Sequence, residues 1–116
     1  RKDLILLLFS KATGEFVGSS GLHQINWSIP KFEIGYWLSS SKAGQGYMTE
    51  AVEAITNFAF QELQACRVEI RCDEENVKSK AIPERLGYQL EGVLQKNMQS
   101  SDGKDLRNTC IYAKIK

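Results

Sequence analysis

Between residues 48 and 63 the apolar side chains Met48, Ala51, Val52, Ile55, Phe58, Ala59 and Leu63 recur at the spacing of a helix with one broad buried stripe. Such a helix has to lay that stripe on a second layer, and the flanking residues supply one. Residues 32–38 alternate, with Phe32, Ile34, Tyr36 and Leu38 on one face of a strand and Glu33, Gly35 and Trp37 on the other. That alternation places a carboxylate among apolar neighbours. Val68, Ile70 and Cys72 alternate with Glu69 and Arg71 as a further strand. The continuous apolar run at residues 4–9, ended by Thr13-Gly14, predicts a strand buried on both faces, followed by a second strand over 16–25. Residues 76–86 predict a short helix closed by Gly87. Strands at 88–98 and 107–115 flank Ser101-Asp102-Gly103 as a terminal hairpin. The order β-β-β-α-β-α-β-β describes an α/β fold, a mixed sheet with helices packed on it.

The chain has 116 residues, a net charge of +1 and 42% hydrophobic residues, the make-up of one globular domain with an ordinary core. Its longest apolar run is strand-sized, so a membrane span is not expected, and no signal-peptide core follows the first residues. Cys66, Cys72 and Cys110 lack disulfide or metal spacing, which predicts a reducing, cytoplasmic setting and no metal. Near-neutral charge without a basic run argues against nucleic acid as a partner.

Residues 42–54 read KAGQGYMTEAVEA, a glycine-rich lead-in to the long helix. Backbone N–H groups from Gly44 to Thr49 at such a helix N-terminus lack intrahelical acceptors and face the positive end of the dipole, a setting suited to an anion. The spacing is neither a Walker motif nor GxGxxG. A plain reading remains open, in which Gly44 and Gly46 shape a turn and Thr49 caps the helix.

In order along the chain, FEIGYWL, GQGYMTEA, NVKSKAIPERLGY and LEGVL resemble the GNAT-type N-acetyltransferases. More narrowly they resemble the RimJ/RimL branch of ribosomal-protein N-terminal acetyltransferases and its YdaF-like relatives. The resemblance implies the GNAT acyl-CoA N-acyltransferase fold, with a mostly antiparallel mixed sheet flanked by helices. It also implies that residues 1–116 form a single domain whose N-terminal elements, a strand and two helices, are missing.

It further implies an acetyltransferase that uses acetyl-CoA, with the pyrophosphate on the backbone of Gly44, Gln45, Gly46, Tyr47, Met48 and Thr49 and the pantetheine arm on Asn76. Trp37 and Leu38 would offer backbone N–H groups to the thioester carbonyl. Glu33 would be the general base and Ser79 would supply the proton to the departing thiol, because Pro83 stands where many relatives carry a tyrosine. Ala43 and Met48 depart from the usual loop pattern, which removes a side-chain contact and leaves the backbone cradle. Pro83 also leaves the Ser79 carbonyl without its helical donor, a gap for a ligand or water. His23, the only histidine, has no evident acidic partner in the sequence. The implied acceptor is a protein N-terminus, a ribosomal protein first, by direct transfer in a ternary complex. A polyamine or aminoglycoside is the enzymatic alternative, and a non-catalytic CoA-binding or interaction domain is the other. The oligomeric state stays open, a homo-oligomer included.

Overall fold

The computed structural model describes residues 3–9, 14, 16–26, 28–38, 44–100 and 102–116. Lys42, Ala43, Thr13 and Ser101, which figure in the sequence reading, lie outside these residues, as do the side chains of Leu38 and Gln45. Six strands form one sheet: β1 (Asp3–Phe9), β2 (Phe16–Asn26), β3 (Lys31–Leu38), β4 (Arg67–Asp73), β5 (Gln89–Gln99) and β6 (Leu106–Ile115). Their spatial order is β1-β2-β3-β4-β6-β5. Only the β3/β4 pair is parallel, because α1 (Gly44–Gln61) carries the chain back across the sheet between them. The second helix, α2 (Val77–Arg85), joins β4 to β5.

Phe32 and Ile34 of β3 and Val68 and Ile70 of β4 point to one face, where Met48, Val52, Ile55 and Ala59 of α1 and Ile82 of α2 bury against them. Full burial of side chains of this size contributes about 1.5–3 kcal/mol each. The stripe expected on α1 is corrected in two respects: Leu63 lies beyond the helix, which ends at Gln61, and one position within it differs. Phe58 is exposed, and Thr56 is buried in its stead. The Thr56 hydroxyl donates to the Val52 carbonyl at 2.8 Å, so the buried Tyr88 hydroxyl, 2.6 Å away, donates to Thr56. That pair satisfies two polar groups inside the core and ties α1 to the start of β5.

Two further expectations change. β1 is an edge strand, not one buried on both faces: Ile5 is 77% and Leu7 63% exposed, because α1 covers only the opposite side of the sheet. The long helix begins at Gly44 rather than at Met48, so the glycine lead-in forms its first turn. Glycine's helix cost, about 1 kcal/mol, is small beside the burial that α1 gains along its length. At the other edge β5 is broken by register shifts between Leu90 and Gly92 and between Leu94 and Met98, which blunt it as a template for pairing. Among the described residues no helix is long and apolar enough to cross a membrane.

Candidate functional site

β3 and β4 pair only from Lys31–Arg67 to Ile34–Ile70. Beyond that point they part, and a cleft of about 520 Å3 opens, lined by Tyr36, Trp37, Arg71, Cys72, Asn76 and Ser79 among others. The cleft exists because a parallel pair was begun and not continued, so the end of β3 runs on past its last register partner on β4.

α2 is placed at this cleft by its own ends. The Asn76 side chain caps it, accepting from the Ser79 amide at 3.0 Å, and Gly87 at φ 84 turns the chain away after Leu86. Pro83 cannot donate to the Ser79 carbonyl, and the group that does so is the Tyr36 hydroxyl at 2.6 Å. The gap expected for a ligand or water is therefore filled by a side chain from β3. Both backbone groups of Ser79 are held by side chains, one from its own cap and one from across the cleft. Burial, with Cys72 next, pushes the Tyr36 hydroxyl far above its ordinary range, so it stays a donor.

On the helix side of the loop, Gly44, Gln45 and Gly46 occupy the first turn of α1, where backbone N–H groups have no helical acceptor. That turn carries no acidic residue, and among the described residues a Cβ at Gly46 would meet nothing within 4 Å. Met48 and Thr49 sit a full turn further in, where amides are donated along the helix. Met48 is fully buried in the core, and Thr49 does not cap α1.

Glu33 lies on the uncovered face of the sheet, in line with Gly35 and Trp37, as the alternation predicts. It is not sealed from solvent, as burial among apolar neighbours would have required. Its carboxylate keeps 27% exposure and sits 3.9 Å from Nε2 of His23, its register partner on β2. The sequence reading missed this acid for His23. The signal was present, since His23 and Glu33 are placed symmetrically about the turn at Ser28. Ser79 lines the cleft and Glu33 does not. Trp37, more than half exposed, borders both the cleft and the trough of about 360 Å3 on the open face that runs past His23 and Gly35.

The buried Glu69, register partner of Glu33 on β4, was also missed. Arg67 donates to it at 2.7 Å, with Arg71 at 3.7 Å and Lys31 at 3.9 Å. Its Oε1 is buried without a hydrogen bond. Among the described residues no cluster of three His, Cys, Asp or Glu side chains is arranged to hold a metal.

Cys72 stands on the cleft wall, but burial, with Cys110 beside it, pushes its thiol up to about 12 from an ordinary 9.0. Thiolate is the nucleophilic form, so Cys72 is poorly suited to carry an acyl group. Cys110 is buried and raised in the same direction, while Cys66 is exposed. Iodoacetamide at about pH 8 is expected to label Cys66 alone in the native protein and all three cysteines in urea, read by peptide mass spectrometry. Labelling of Cys72 as fast as Cys66 would contradict the burial that holds its proton.

The acetyltransferase (GNAT) domain model matches residues 1–89. YdaF of Bacillus subtilis (strain 168) is 39% identical over 79 residues, which cover 68% of this chain and 43% of that protein. The ribosomal-protein-serine acetyltransferase of Escherichia coli (strain K12) is 33% identical over 101 residues, 87% of this chain and 55% of its own length. The chain thus spans about half the length of these curated relatives. A solved RimL ribosomal L7/L12 alpha-N-protein acetyltransferase in complex with coenzyme A superposes with a TM-score of 0.83 at 26% identity, covering 97% of this chain and 62% of that one. The parted parallel strands, the helix that starts between them and these likenesses agree, and the chain belongs to the GNAT acetyltransferase family.

Proposed function

We propose that this chain, as a single domain, transfers acetyl from acetyl-CoA to a primary amine, the acceptor being a protein N-terminus of the ribosomal-protein kind. The observation that carries the reading is the parting of β3 from β4, which gathers Trp37, Asn76 and a doubly held Ser79 around one cleft. The names of the E. coli relative and of the RimL structure supply the acceptor class.

The first-turn amides of α1 hold the pyrophosphate, and the Asn76 amide group, whose oxygen is engaged by the Ser79 N–H, orients the pantetheine arm. The thioester lies along the end of β3, where main-chain N–H groups near Trp37 and Leu38 polarise its carbonyl. Glu33 takes a proton from the acceptor ammonium, which approaches over the open face past Gly35. Ser79 passes a proton to the departing sulfur from the cleft side. Two approaches meeting at Trp37 suit direct transfer within a ternary complex.

Calorimetric titration with acetyl-CoA and CoA tests the cofactor site, in parallel with Gly46→Asp. The new side chain points into open space, and an acidic residue suits a helix N-terminus, so the variant keeps its fold. Micromolar-range binding by the parent, weakened at least about tenfold in the variant, is expected from a carboxylate competing for the pyrophosphate amides. Equal binding would put the phosphates elsewhere.

A further inference from the structure

Acetylation of an ammonium releases a proton at every turnover. One N–H proton ends on the thiol of CoA, and the proton first taken by the base has to reach solvent before the next amine is deprotonated. Resting on the proposed function, we infer that His23 is the exit for that proton, a relay that acts through Glu33 and touches neither the amine nor the thioester. Its Nε2 lies 3.9 Å from the Glu33 carboxylate, and its side chain is 49% exposed against 27% for Glu33. It stands on β2, one strand further from the cleft, on the same face of the sheet.

The distance is just beyond a direct hydrogen bond, so a small rotation of either side chain joins the two groups directly or through one water. An imidazole can take up a proton on one ring nitrogen and release it to solvent, which is the chemistry a relay requires. The ammonium N–H bond breaks as the Glu33 O–H bond forms. The Glu33 carboxylic acid then protonates neutral His23, restoring the carboxylate, and the imidazolium gives the proton to solvent or buffer. No proton is lost or gained besides the one that acetylation releases.

Asp3 holds the register position opposite His23 on β1. Glu69 is the neighbour of Glu33 on β4, and its charge is met by Arg67, Arg71 and Lys31. The row therefore runs from a compensated carboxylate at the sheet centre, through Glu33, to a half-exposed imidazole.

The test is steady-state acetylation of a peptide amine by the parent and by His23→Gln, at fixed pH and ionic strength and rising imidazole concentration. In dilute buffer the variant is expected to lose about tenfold in kcat with unchanged acetyl-CoA affinity. Added imidazole restores its rate and leaves the parent unaffected, because a mobile base replaces a relay and does not replace a structural contact. A variant within about twofold of the parent in every buffer, or a loss that no buffer base restores, overturns the relay. An NMR titration of the His23 ring in the parent and in Glu33→Gln reads the pair without catalysis, and identical curves also overturn it. A parent that binds acetyl-CoA and acetylates no amine overturns the proposed function and the relay together, whereas an active parent with a buffer-independent variant overturns the relay alone.

Discussion

Ser79→Ala is expected to lower kcat for acetyl transfer by about 10²-fold or more, with acetyl-CoA binding within about twofold of the parent. The reason is positional. The Ser79 amide is held by Asn76 and its carbonyl by Tyr36, so removing the hydroxyl leaves the backbone and the cap of α2 where they were. What disappears is the group proposed to carry a proton to the sulfur as the carbon–sulfur bond breaks. Tyr36→Phe provides the contrast. It keeps the Ser79 hydroxyl but leaves a carbonyl in the cleft wall without its donor, a cost of about 1–3 kcal/mol in stability, and it loosens the serine rather than deleting it. Unchanged kcat in Ser79→Ala would end the leaving-group assignment, whatever Tyr36→Phe does.

Glu33→Gln is expected to lower kcat/KM by about 10²–10⁴-fold and to change the shape of the pH–rate profile. A carboxylate accepts the ammonium proton only when ionised, so with Glu33 as the proposed base the parent is expected to lose rate toward acid pH. The glutamine variant has no such group. Its residual rate follows the fraction of free amine and rises with pH up to the pKa of the acceptor itself, about 8 for an α-amine and above 10 for a lysine amine. Peptide acceptors of both kinds separate the two sources. If the variant keeps the parental acidic limb with both, Glu33 is not the base. Glutamine has the shape of glutamate, and the site is half-exposed, so the fold is untouched.

Much of the architecture was legible in local pattern. The alternation in residues 32–38 put Phe32 and Ile34 inside and Glu33 and Trp37 outside, and the side chains are found so. The stripe of α1 failed at Phe58, which is exposed, because a hydrogen bond across the core to the Tyr88 hydroxyl, which periodicity does not register, lets Thr56 be buried. Burial of β1 failed for a related reason: an apolar run states what a strand can bury, and its place in the strand order states what it does bury. At the site, Asn76 and Ser79 were legible because a cap is a contact within one turn of chain. The partner of the Ser79 carbonyl was not, because Tyr36 lies on a different strand across the cleft.

The sequence by itself therefore determined which segments are helix and strand, which face of β3 is apolar, how α2 begins and ends, and which residue types are available for chemistry. These depend on side-chain period and on hydrogen bonds within one turn, which act over a few residues. The tertiary structure alone decided that β3 and β4 run parallel and then part, that Tyr36 meets Ser79, and that His23 faces Glu33 while Glu69 is buried beside them. Each of those results requires distant segments to close on one another, at an entropic cost that only the packing of the whole sheet against α1 and α2 repays.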